Sequence, residues 1–385
     1  MSLPPGDDPA TGEAEGLRER VGQSRVAVAG EEETPRAGLW ARRALRILGF
    51  VLAVSLFVVG IELIKEGASE AAMLVARFVE LDSMTNALGF GWLAAYAAMS
   101  GSPVAAVSVA FVATGVISRL AGLAMIVGSR LGASFIVLFV GFVYVLRGHE
   151  RRSGLSMGLL SLAVTISTYL PALALGAWLL NTGLLDEVEF GWGAFLNSFL
   201  DVFLQPIVGA LSGWLPQWVV MLLGLGVLWF AFFLFDRALP SLDLESSQFA
   251  LVSRLVYRPL VMFLLGAALT LVTLSVSLSL SLLVPLSARG YVRSENAIPY
   301  IMGANITTFV DTLLATVLLG SGDAFTVVLT SMVSVSAVSL LILLLFFRHY
   351  ERGVLALVQR TTGSNLSLGL FLATILVVPL LLLLI

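Results

Sequence analysis

Apolar segments long enough to cross a bilayer recur along this chain, near 44–64, 84–118, 121–146, 154–180, 217–235, 259–286, 297–320, 324–347 and 365–385. In hydrocarbon each backbone N–H and C=O must be satisfied inside the segment, so runs of this kind fold as α-helices. Hydrophobic residues are 58% of the chain and charged residues 12%, too little charge for an ordinary soluble domain. The sequence therefore specifies an all-α polytopic membrane protein. Cysteine is absent, which excludes a disulfide framework, a thiolate metal site and a cysteine nucleophile. There is no Walker loop, zincin motif or catalytic-triad spacing, so an enzyme is not expected. A net charge of −3 gives no reason to expect nucleic acid.

Arginine marks the sides. It clusters before the first span (Arg36, Arg42, Arg43, Arg46), at Arg147, Arg151 and Arg152, around Arg237, Arg254 and Arg258, and at Arg348, Arg352 and Arg360. By the positive-inside rule all these loops face the cytoplasm, as does the N-terminus of a multi-pass protein of the cytoplasmic membrane. The connection from Asn181 to Gln217 carries acids but no Lys or Arg and holds Trp192 and Trp214, as an external interfacial stretch would. Three apolar segments lie between the first Arg cluster and Arg147, and three between Arg258 and Arg348, yet both pairs of clusters need an even number of crossings. One segment of each set must enter and return. The candidates are 84–118 and 259–286, which carry polar breaks, "MSGSPV" at 99–104 and "LSVSLSLS" at 274–281.

A gapless shift of 175 residues superposes Ser100 on Ser275, Ser102 on Ser277, Val109 on Val284, Gly115 on Gly290, Ile126 on Ile301 and Gly128 on Gly303. Under the charge rule the matched segments run in opposite directions, which predicts an inverted-topology repeat with two re-entrant hairpins and broken helices. The predicted organisation is a disordered cytoplasmic tail, rich in Gly, Pro and Glu (1–40), a first membrane repeat (41–180), an extracytoplasmic or interfacial connection (181–216), a second repeat (217–348), and a cytoplasmic connection with an extra C-terminal transmembrane helix (349–385). The tail lacks a signal-peptide core, and Leu45 to Ile64 reads as a retained span. The last span serves packing or joins two copies as a homodimer. Inverted repeats place substrate and ion sites near the midplane, where hydroxyls and freed backbone groups of broken helices replace hydration shells. The competing expectation is that such Ser and Thr side chains only bond their own helix carbonyls or join helices.

The second half has "LSVSLS" at 274–279 and "GANITT" at 303–308; the first has "MSGSPV" at 99–104 and "GSRLGA" at 128–133. With "SLFVVGIELIKEG" at 55–67 and "MTNALGFGWLAAYAA" at 84–98, these stretches resemble the sodium/phosphate cotransporter family of the type II, or bacterial Na/Pi, kind, over residues 45 to 345 or so. Its hallmark is a duplicated unit with a QSSS-type motif followed by a GANIGTT-type motif. The resemblance implies sodium-coupled symport of phosphate or a similar small anion by alternating access in the lipid bilayer, with no cofactor besides sodium as coupling ion and no other metal. It implies hydroxyl ligands at Ser100, Ser102, Ser275 and Ser277, side-chain and backbone ligands at Asn305, Thr307 and Thr308, and helix breaks eased by Gly128 and Gly303. Met99 and Leu274 stand where that motif has Gln, Gly101 and Val276 where it has its middle Ser, and Arg130 where the first GANI motif has Asn.

Arg130 and Asp311 each sit well inside an apolar run, where a lone charge costs roughly 2.5–3.5 kcal/mol at a helix centre. They should face inward and meet. One expectation makes Arg130 a fixed cation for an oxyanion and Asp311 the ligand of the coupling cation, sodium or a proton; the other makes them an inert pair that locks the halves. Three readings of the whole chain remain open: the sodium/phosphate symporter, a proton-coupled carrier of another oxyanion or a carboxylate, and a non-transporting scaffold of the same fold. Glu62, Lys65 and Glu66 at the end of the first span, and His149 and His349 among juxtamembrane arginines, read as solvated ends.

Overall fold

The structure, a computed structural model, describes residues 36–75, 80–146, 151–188, 206, 208–238, 258–288 and 291–385. Outside them lie most of the predicted tail, Arg147, His149, Arg254, Gly290, and the stretch of the external connection that holds Trp192 and Asp201. The chain divides into two units, Met1–Leu48 and Gly49–Ile385. The described part of the first is helical, and all that follows concerns the second.

Among the described residues there is no strand. The helices are α1 (Arg36–Val75), α2 (Met84–Ala98), α3 (Ser102–Ala113), α4 (Arg119–Leu146), α5 (Arg151–Thr182), α6 (Gln217–Ala238), α7 (Pro259–Thr273), α8 (Val276–Ser281), α9 (Leu283–Ala288), α10 (Ser294–Thr307), α11 (Phe309–Leu319), α12 (Gly322–Leu341), α13 (Phe347–Thr362) and α14 (Asn365–Leu384). A π-helical turn at Ile342–Phe346 joins α12 to α13. Among the described residues seven helical stretches are long and apolar enough to cross a membrane, which makes this a polytopic membrane protein. The helices α2 and α7 have 15 residues each. At 1.5 Å per residue each reaches about 22 Å, short of a hydrocarbon core of about 30 Å.

The shift read from the sequence reappears in the backbone. Moved by 175 residues, the bounds of α2 fall on those of α7, and the first residue of α4 falls on that of α10. Both short helices stop at a residue in the left-handed region, Met99 with φ 49° and Leu274 with φ 50°. At the first stop the Met99 N–H bonds Tyr96 O and the Ser100 N–H bonds Ala95 O, the double bond of a Schellman ending, where glycine is usual. A side chain in that conformation costs roughly 1–2 kcal/mol. The loops into the next helices match too: the N–H groups of Val116 and Ile117 bond Phe111 O, and those of Tyr291 and Val292 bond Leu286 O.

Close glycine contacts fix the direction of each piece. A Cβ on Gly91 would lie 2.2 Å from Met125 O and one on Gly128 2.2 Å from Leu88 O; the equivalents, Gly266 and Gly303, would meet Tyr300 O at 2.1 Å and Phe263 O at 1.9 Å. Along α4 Gly128 packs on Leu88 and Gly132 on Trp92, and along α10 Gly303 packs on Phe263 while Thr307 donates to Ala267; each step of four residues is matched by four on the partner, so α2 runs parallel to α4 and α7 parallel to α10. Helix α3 runs back: Ser102 touches Arg130, while the later Ser108 donates to Gly122 O. Thus α2 and α3 form a helical hairpin against α4. The helix α4 and the α10–α11 pair pass each other in opposite directions, since Arg119 pairs with Asp323 and Arg130 with Asp311.

Backbone contact this close needs the absence of a side chain. Alanine at Gly91, Gly128, Gly266 or Gly303 is expected to lower stability in detergent by about 1–3 kcal/mol through overpacking. Alanine at Gly226, which has open space around it, should stay within about 0.5 kcal/mol. Thermal denaturation of the purified variants checks both.

Candidate functional site

Arg130 projects from the middle of α4, the most enclosed of the candidate spans, with 83% of its most apolar window buried. Only 3% of the residue is exposed. One terminal nitrogen, Nη1, donates to Ser102 Oγ at 3.3 Å and to Thr308 Oγ1 at 3.1 Å. The other, Nη2, donates to Thr308 O at 3.2 Å, Asp311 Oδ1 at 3.4 Å and Thr312 Oγ1 at 2.5 Å. The guanidinium carbon lies 5.3 Å from the centre of the Phe309 ring, near enough for a cation–π contribution. Thr308, Asp311 and Thr312 share one face of the helix because residues three and four apart are neighbours there. The Thr312 hydroxyl in turn donates a hydrogen bond to Asp311 Oδ1 at 2.8 Å. Two atoms of the pair remain without a partner, Arg130 Nε and Asp311 Oδ2.

The two charges expected to meet across the halves therefore do meet, inside a cage of oxygens. Because the terminal nitrogens of Arg130 are engaged with protein oxygens, the guanidinium is held in place rather than presented as an open fork.

Asn305 and Thr307 make different bonds. Asn305 Nδ2 donates to Thr165 Oγ1 at 3.2 Å, and its backbone carbonyl accepts from the Tyr169 hydroxyl at 2.8 Å, both partners lying on α5. Thr307 Oγ1 donates to Ala267 O at 2.9 Å and so joins α10 to α7. Of the four serines at the hairpin tips, Ser102 enters the cage and Ser275 caps α8 by accepting from the Leu278 N–H at 3.3 Å. Ser100 and Ser277 make no side-chain hydrogen bond among the described residues. Gly128 and Gly303 lie inside helices as close-approach residues, while the chain breaks at Met99, at Leu274 and in a turn at Thr308.

The sequence reading missed Thr312, Phe309, Thr165 and Tyr169. The first two had a signal: Thr312 is one turn past Thr308 on the face that holds Asp311, and Phe309 follows Thr308 directly. Thr165 and Tyr169 had none, because they look like ordinary helix residues of α5.

Beside the first break a cavity of about 590 Å³ is lined by Met99, Pro103, Val104, Met125 and Trp229, among other apolar side chains. It suits hydrocarbon and offers an anion nothing to bind. No three His, Asp or Glu side chains gather as a metal site among the described residues. Comparison with models of known families, with curated proteins and with solved structures gives no match.

Removing one partner of a buried pair strands the other charge, at about 3–5 kcal/mol. Asp311→Leu should therefore lose that much stability, whereas Ser100→Ala and Ser277→Ala should stay within about 0.5 kcal/mol. Denaturation of the three variants side by side tests this.

Proposed function

We propose that this protein is a secondary active transporter of a small anion, working by alternating access between two inverted halves of a multi-pass protein whose N-terminus faces the cytoplasm. The observation that carries the reading is the pair of short helices α2 and α7, each too short to cross and each stopped at a left-handed residue, beside α4 and α10–α11, which pass in opposite directions. Irregular backbone at membrane depth is tolerated where protein or a watery cavity covers it, and repeats of opposite topology put their binding site where such breaks meet. The anion would lie between the two tips, with the hydroxyls of Ser100 and Ser277 as donors. Phosphate driven by a sodium gradient is the form implied by the resemblance of "GANITT" and its partner stretches to the sodium/phosphate cotransporters.

A second reading keeps the fold and the anion class but replaces sodium by protons and phosphate by another oxyanion or a carboxylate. Arg130 favours it, because a cation from the protein's own chain sits where oxygens converge.

The test is radiolabelled phosphate uptake into proteoliposomes under an inward sodium gradient, an equal potassium gradient and a proton gradient, for wild type and Asn305→Ala. The expected result is gradient-dependent uptake that falls at least tenfold in the variant. Correctly folded wild-type protein that moves neither phosphate nor a panel of oxyanions and carboxylates under any of the gradients would overturn transport and leave the scaffold reading.

A further inference from the structure

The contacts of Arg130 have the form of a cation site. Five hydrogen bonds reach its two terminal nitrogens, and every acceptor is an oxygen: three hydroxyls, one backbone carbonyl and one carboxylate. Hydroxyl, carbonyl and carboxylate oxygens are the ligand set that hard cations take. The acceptors come from two elements that approach from either side, Ser102 at the start of α3 and Thr308 to Thr312 across the α10–α11 turn. A sixth oxygen, Asp311 Oδ2, is buried in the same place with no partner. Side-chain exposure of the ion pair is 2% for Arg130 and 4% for Asp311, so the charge balance must be met locally rather than by solvent.

The internal correspondence shows that the site is one-sided. Thr308, Asp311 and Thr312 fall on Ala133, Ile136 and Val137 of the first half, which have no polar side chain, while Arg130 falls on the neutral Asn305. One half supplies the cation and the other supplies most of the oxygens. Three hydroxyls, a carbonyl and a carboxylate satisfy the donors of the guanidinium, and the same oxygens form a ligand set of the kind a small hard cation takes.

We propose that Arg130 is a tethered cation occupying an oxygen cage that can itself hold a free monovalent cation, so that the native protein takes no sodium at this position. The functional consequence, anion transport that does not draw on sodium through this cage, rests on the transporter reading above. The occupancy does not, and it is measured separately. With the guanidinium removed, the Asp311 carboxylate and four further oxygens remain around a space without a cation, and a small cation is the group that restores the balance.

The experiment compares the thermal midpoint of purified wild type, Arg130→Ala and the double variant Arg130→Ala with Asp311→Asn. Each is measured in sodium chloride, potassium chloride and N-methyl-D-glucamine chloride at equal ionic strength. Sodium should raise the midpoint of Arg130→Ala saturably, on the order of 5 °C at concentrations ~100-fold above half-saturation. Wild type and the double variant should lack this cage-dependent increment and show the same response to sodium as each other. If Arg130→Ala does not fold, Arg130→Gln, which keeps the length of the side chain, takes its place in the same comparison. An Arg130 variant that responds alike to all three salts, or whose midpoint tracks pH instead of sodium, overturns the proposal. So does a sodium-dependent midpoint in wild type that Asp311→Asn abolishes, a result obtainable even if no Arg130 variant folds.

Discussion

A guanidinium in the middle of an apolar bundle must find a counter-charge and enough acceptors for its donors, because neither water nor lipid supplies them there. In this protein the requirement is met by Asp311, Thr308 and Thr312 of one half and Ser102 of the other. That single demand ties four elements together. It fixes α4 against the α10–α11 turn, sets the depth of the first hairpin through Ser102, and holds Phe309 over the guanidinium. The antiparallel passage of the two halves follows from the same contacts, with Arg119 and Asp323 as a second point on the line.

Around this crossing glycines bring the helix backbones together. Lipid is as apolar as leucine, so helices in a membrane gain most by bringing backbones into contact. The four glycines that allow this in α2, α4, α7 and α10 come in two pairs, and each pair makes the same contact with its own partner helix. Helices α2 and α7 are therefore each bound by close backbone contact to one partner, α4 and α10. The halves meet at the cage and beyond it, for α5 also packs against α10 and α12 and α4 against α12, and the Tyr169 ring meets that of Phe309. Helix α14, by contrast, is only 11% buried and touches the bundle on one side, where the Tyr96 hydroxyl donates to Ile375 O. It packs outside the crossing.

Much of this was legible in the sequence, for physical reasons that can be named. The shift of 175 residues showed because Gly128 and Gly303 make equivalent backbone contacts, so few other residues serve there. Arg130 and Asp311 showed because a charge deep in an apolar run has almost no use except an internal partner. The roles of the serines were not legible: a hydroxyl in a membrane helix has its own turn, a neighbouring helix or a ligand to bond, and sequence does not choose among them. Ser102 and Ser100 are two residues apart in the same tip, yet only Ser102 reaches the arginine. Met99 and Leu274 look like losses when set beside a glutamine motif; in the fold they are the left-handed stops that end α2 and α7 at matched positions. Backbone conformation of that kind leaves no trace in a side chain as unremarkable as leucine.

The central claim is that two halves of one architecture lie in the membrane upside down to each other, and the natural lack of cysteine makes it directly measurable. Val116→Cys and Tyr291→Cys, made separately, place a thiol at equivalent positions of the two halves. Each would be labelled in intact cells with a membrane-impermeant maleimide, before and after permeabilisation. The account predicts labelling of Val116→Cys from outside, and labelling of Tyr291→Cys only once the cytoplasmic face is opened. Labelling of both from the same side would contradict the inversion and remove the basis for a shared midplane site.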